Sequence, residues 1–189
     1  MCEKIYTGWF FMEQECNVVY YMIKKVSAGN RKEQTEIARR ILKYMLDYLS
    51  YEFTDIEISE NGKPYFANSD IYFNYSHSKN YIACAVSNHE VGIDIEETTR
   101  YITNRVSKKY LENENESDKK LEKWVKKEAY SKLKGLGLLM NFQTINLDEI
   151  SNKNLLISNG DYVCSIYSDC EDAVFKEVPI GYRNFSHNV

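Results

Sequence analysis

Asp94 and Glu96 stand two residues apart in the run VGIDIEE, residues 91–97. Val91, Ile93 and Ile95 alternate there with Gly92, Asp94 and Glu96, the period-two pattern of a half-buried β-strand. On such a strand both carboxylates point to one face, about 7 Å apart along the backbone. Nothing basic lies within the run to neutralise them. A third acid follows in KLEKWVKKEAYSKLKG, where a helix is expected from about Asp118 to Lys134. Leu121, Trp124, Val125 and Ala129 form its apolar stripe, and Glu128 and Lys132 fall in the middle of that stripe. An i, i+4 Glu–Lys pair ordinarily faces water and contributes only about 0.2–0.5 kcal/mol. Centred on a core-facing stripe, it is costly to desolvate unless it has further partners. Acids are common on half-exposed strands, so the DxE pair alone is weak evidence. Three convergent carboxylates are what a hard divalent cation requires, and a lysine beside them suits a phosphate or pyrophosphate ligand.

The elements that must position these groups are legible in outline. Asn30, with Glu33 three residues on, reads as a capping box opening a helix to Leu49. Its stripe is Ile37, Ala38, Ile41, Leu42, Met45, Leu46 and Leu49. Two apolar stretches before it, IYTGWFF and VVYYMI, are expected to be strands. DIEIS, Asn61-Gly62 and KPYF read as a hairpin, followed by extended IYFNYSHS and YIACAVS. Residues 99–117 read as a polar surface segment. The second helix stops at Gly135. FQTINL, NLLIS, DYVCSIYS and AVFKEV then read as short strands, with a turn at Asn159-Gly160. Each half thus has a long helix, then strands and an Asn-Gly turn, which suggests two similar α+β lobes, residues 1–88 and 89–189.

Composition narrows the class. A net charge of −4 argues against a general nucleic-acid or anionic-membrane binder. No apolar run approaches the ~20 residues that span a bilayer, and the N-terminal residues do not read as a secretory leader. The five cysteines are odd in number and form no CxxC pair, so they read as reduced thiols in a cytoplasmic protein. His77, His89 and His187 are too few and scattered for a zinc site.

VGIDIE followed by WVKKEAYSKLKG resembles the signature of the 4′-phosphopantetheinyl transferases, and NGKP and FNYSHS resemble the further motifs of the larger, Sfp-type branch. The resemblance runs in order from about Asn61 to Gly137. It implies an α+β fold of two lobes related by a pseudo-two-fold axis, with the active site between them, in a monomer. It also implies that the phosphopantetheine arm of coenzyme A passes to a serine of an acyl or peptidyl carrier protein. Asp94, Glu96 and Glu128 would hold Mg²⁺, with Mn²⁺ the alternative ion. Glu128 could also accept the serine proton, directly or through water. Lys132 would neutralise charge on the pyrophosphate, His77 with Ser76 would meet the 3′-phosphate of coenzyme A, and Lys63 would belong to the adenosine end.

Blander readings stand beside these. Lys63 also fits a plain hairpin position, and a histidine among serines is often a hydrogen-bonded structural group. Arg31, Lys32, Arg39 and Arg40 are equal candidates for further contacts to the nucleotide. The second helix carries seven lysines against three acids, and Lys119, Lys120, Lys123, Lys126 and Lys134 lie off its stripe. They read either as a solvated face or as the side that meets an acidic carrier. The rival function is a non-catalytic module of the same fold that binds coenzyme A or a carrier.

Overall fold

The computed structural model describes residues 17–27, 29–111, 117–150 and 153–181. The strand expected in IYTGWFF lies outside these residues, as do Cys2, Cys16 and His187. The first half runs β1 (Val18–Lys25), α1 (Arg31–Leu49), a hairpin of β2 (Ile56–Ile58) and β3 (Pro64–Phe66), β4 (Tyr72–His77) and β5 (Tyr81–Ser87). The second runs β6 (Val91–Glu97), α2 (Asn104–Tyr110), α3 (Ser117–Leu133), β7 (Asn154–Ser158), β8 (Tyr162–Ser168) and β9 (Val174–Glu177).

The first helix starts as its capping box dictates. The Asn30 side chain accepts from the Lys32 and Glu33 amides, and the Glu33 carboxylate accepts from the Asn30 amide. Ala38, Ile41, Leu42, Met45 and Leu46 are buried with Phe73, Ile82 and Cys84 of the sheet. That sheet has the order β4-β5-β1-β9 and a second has the order β6-β8-β7. All the pairings are antiparallel except β9, which joins β1 in parallel. A strand of the second half therefore completes the sheet of the first.

Between the sheets, Val19, Ala83 and Ala85 meet Val91, Ile93, Ile95, Cys164 and Ile166. Since the three aliphatics of β6 face this interior, the alternate residues Gly92, Asp94 and Glu96 face α3. The strand is thus covered on both sides, not half exposed.

Two expectations are corrected. Residues 104–110 within the supposed polar segment form α2, capped by Thr103 Oγ1 on the Val106 amide, with Ile102 and Leu111 buried beside it. Asn, Arg and Lys hide that helix, whose apolar positions are few and whose length is two turns. In FQTINL, Phe142–Thr144 is a 3-10 turn with Asn141 capping the Gln143 amide, and Phe142 plugs the core as an anchor.

Candidate active site

Asp94 is buried on the face of β6 that meets α3. Its Oδ1 accepts from Ser76 Oγ at 2.7 Å and from Lys132 Nζ at 2.6 Å, and Lys132 also donates to Ser76 Oγ at 2.9 Å. These three residues come from β4, β6 and α3, so the contact spans both halves. The seam is reinforced one step along, where Asn74 Oδ1 accepts the Ile93 amide of β6. The helical lysine thus finds its partners in Asp94 of the facing strand and, across the two halves, in Ser76, which answers why a charge occupies the core-facing stripe. Asp94 Oδ2 is buried and, among the described residues, meets no donor. A carboxylate oxygen in that condition is unfavourable unless a proton or a cation reaches it.

Glu96 and Glu128 stand beside it, with one oxygen from each of the three carboxylates within 4.8 Å of the others. Such a cluster, with a buried oxygen lacking a donor, fits a hard divalent cation, which takes oxygen ligands. Burial first, and then the charge of Asp94, pushes the Glu128 carboxyl up from 4.5 to about 8, against the opposing pull of Lys132.

This has a consequence for stability. With divalent cations chelated, the folded chain keeps the Glu128 proton up to about pH 8, whereas the unfolded chain releases it near 4.5. The folded state holds more protons in that window, so the group's stabilising contribution is complete below 4.5 and is lost as the pH rises through about 8. Thermal midpoints in chelator should fall across this range, and Glu128→Gln should flatten the slope. An unchanged slope in the variant would assign the titration to another group.

The other expected residues lie around this centre. His77 ends β4 next to Ser76, and burial, then the cations Lys132 and Arg31, lower its proton affinity. The charge of Arg39 acts on the Tyr75 hydroxyl of the same strand. Of the four basic candidates, Arg31 and Arg39 therefore face the histidine's strand. Arg40 instead acts on Lys24, and all four side chains are exposed. Lys63 pairs with Glu90 and donates to the Leu133 carbonyl at 3.1 Å, at the C-terminal end of α3. It borders a cavity of about 300 Å³ also lined by Pro64, Tyr65, Phe73 and Glu90.

Two further cations escape a reading by motif. Lys127 is buried and donates to the Phe142 carbonyl at 2.7 Å and the Tyr110 carbonyl at 3.4 Å, tying α3 to its neighbours. Arg100 pairs with Glu96 and lies over the Trp124 ring. An i, i+4 search from Glu96 would have found it, although the spacing spans a strand end and not a helix.

Comparison with known proteins points to one family. The model of the 4′-phosphopantetheinyl transferase superfamily matches residues 90–182. The chain is 31% identical over 128 residues to the 4′-phosphopantetheinyl transferase gsp of Aneurinibacillus migulanus, covering 61% of this chain and 54% of that protein. It is 29% identical over 133 residues to the 4′-phosphopantetheinyl transferase of Bacillus subtilis, covering 63% and 59%. The match thus spans less than two thirds of the length of either relative. The matched segment contains Asp94, Glu96, Glu128 and Lys132 and the helix and strand that bring them together. Through residues 90–182, just under half of its length, the chain is similar to the 4′-phosphopantetheinyl transferase superfamily.

Proposed function

We propose that this protein is a Mg²⁺-dependent 4′-phosphopantetheinyl transferase that moves the phosphopantetheine arm of coenzyme A onto a serine of an acyl or peptidyl carrier protein. The observation that carries the reading is the convergence of three carboxylates from two elements, with Lys132 held on one of them. Asp94, Glu96 and Glu128 would hold the ion, which supplies charge neutralisation at the pyrophosphate. The serine oxygen forms a new P–O bond as the pyrophosphate P–O bond breaks, releasing adenosine 3′,5′-bisphosphate. Glu128 would accept the serine proton, directly or through water. Lys132 supplies positive charge where the leaving phosphate gains negative charge.

His77, flanked by Arg31, serves the 3′-phosphate, with Ser76 beside it fixing Asp94 and Lys132. The cavity at Lys63 takes the adenosine end; its volume of about 300 Å³ is at the lower bound for a small-molecule site. The two-lobe reading has support in the order of elements. β1, α1, β4 and β5 correspond to β6, α3, β7 and β8, with sheet orders β4-β5-β1 and β7-β8-β6. We place the lobes at residues 1–88 and 89–189, with β9 returning to the first, and the active site between them. We further propose a cytoplasmic monomer. Cys84, Cys164 and Cys170 are free thiols, and among the described residues no helix is long and apolar enough to cross a membrane.

Incubation with coenzyme A, Mg²⁺ and apo carrier proteins, followed by mass measurement of the carriers, tests the proposal. A mass gain equal to the phosphopantetheine arm is expected. A carrier that binds but keeps its mass would mean a binding module instead. The nucleotide end has its own test. Dephospho-coenzyme A should bind wild type roughly tenfold or more weakly than coenzyme A, since it forfeits a charged hydrogen bond. That gap should shrink in His77→Ala, which has lost the contact already. Equal discrimination by both proteins in calorimetry would move the 3′-phosphate elsewhere.

A further inference from the structure

Glu96 has a neighbour of opposite charge. Arg100, past the end of β6, turns its guanidinium back to pair with Glu96 through Nη1. The same guanidinium lies over the Trp124 ring, 5.3 Å from its centroid. Trp124 precedes Glu128 by one turn of α3, so the stack pins a positive charge at the edge of the carboxylate cluster. The charge also reaches Glu128. Arg100 is 39% exposed and Glu96 only 11%, so the guanidinium sits on the solvent side and the carboxylate on the buried side. Arginine cannot lose its proton in a protein, so this charge is present at every working pH.

A guanidinium in that place acts on an incoming divalent cation in two ways. It withholds a Glu96 oxygen, and it repels a second positive charge from a few ångströms away. We propose that Arg100 is a resident counter-cation of the carboxylate cluster, which competes with the divalent cation for Glu96 and so sets how tightly that cation is held. The inference rests on the reading of Asp94, Glu96 and Glu128 as cation ligands. Water screens a half-exposed guanidinium, so the effect is about tenfold and not the thousands a dry pair would give.

Arg100→Met keeps the apolar stem against Trp124 and removes the charge. Arg100→Lys keeps the charge without the planar fork or the stack. Calorimetric titration of Mn²⁺ into the intact protein, without substrate, should show Arg100→Met binding about tenfold tighter than wild type, with Arg100→Lys in between. In chelator, Arg100→Met should have the lower thermal midpoint, because Glu96 is left beside Asp94 with its counter-charge gone. Saturating Mn²⁺ should close that gap. An affinity for Mn²⁺ that is unchanged or weaker in Arg100→Met overturns the proposal, and a midpoint lowered equally with and without Mn²⁺ marks a merely structural arginine. Asp94→Asn is the control for the underlying reading. If wild type takes up no Mn²⁺, or Asp94→Asn takes it up as wild type does, the cation site itself is wrong and this inference falls with it.

Discussion

Asp94→Asn and Glu128→Gln should each abolish phosphopantetheinyl transfer while leaving the protein folded. Asparagine keeps an oxygen for the Ser76 hydroxyl and the Lys132 ammonium, both of which now end on Asp94 Oδ1. The variant therefore removes a negative charge without stranding the groups around it. Glutamine at 128 removes a carboxyl that burial and Asp94 already drive toward its neutral form. Relieving one of three clustered like charges is neutral or stabilising in the presence of chelator. Turnover, by contrast, on the proposed reading depends on all three oxygens being available together. Deleting one preorganised electrostatic group in such a site commonly costs on the order of 10²–10³-fold in rate. On the proposed reading, loss of a cation ligand that would also accept the serine proton should reach the upper end of that range or beyond. The check pairs two measurements: carrier mass after incubation at saturating Mg²⁺, and circular dichroism melting. Retained turnover in either variant would sink the assignment of that residue. A melt that collapses together with activity would mean that the carboxylate is structural.

The site was legible to the extent that it is written in short-range patterns. Alternation placed Asp94 and Glu96 on one face of a strand, and helical spacing put Glu128 and Lys132 on an inward stripe. Both elements are found where those periods predict. The partner of Lys132 was not legible, because Asp94 is 38 residues away and Ser76 is 56 away in sequence. No local period reports a contact made by folding two sheets together. The same limit explains Lys127, whose role comes from the Phe142 carbonyl, whereas Arg100 is four residues from Glu96 and only its place over Trp124 is long-range. Lysine on an otherwise charged helix reads as solvated, yet Lys127 is buried because two backbone carbonyls lie within reach of its ammonium. The parallel pairing of β9 with β1 escaped for a related reason: register between distant segments is set by tertiary packing.

Gly92 shares the face of β6 that carries Asp94 and Glu96, and its substitution should have a large effect. A β-carbon built there would overlap the Ala129 carbonyl oxygen and the Leu133 amide nitrogen, and would lie 2.8 Å from the Leu133 Cα. All of these are backbone or Cα atoms of α3, so no side chain can swing aside to make room. The helix backbone lies directly on the strand at this point, and only glycine permits that approach. Its neighbours in the strand and helix are the proposed site residues: Asp94 follows Gly92 by two positions, while Glu128 and Lys132 adjoin the two obstructing residues of α3. Gly92→Ala should therefore push α3 off β6 and separate Lys132 from Asp94. Overpacking of a tight core ordinarily costs about 1–3 kcal/mol, and a clash with main chain belongs at or above the top of that range. Urea denaturation should show a lower midpoint with an unchanged slope, and Mn²⁺ affinity should fall with it, although Gly92 offers no ligand atom. Asp94→Asn makes the contrasting case, losing affinity without losing stability. A Gly92→Ala protein with wild-type stability and wild-type Mn²⁺ affinity would show that α3 does not rest on β6 as closely as this structure has it. The seating of one helix, and not the carboxylates alone, would then need to be redrawn.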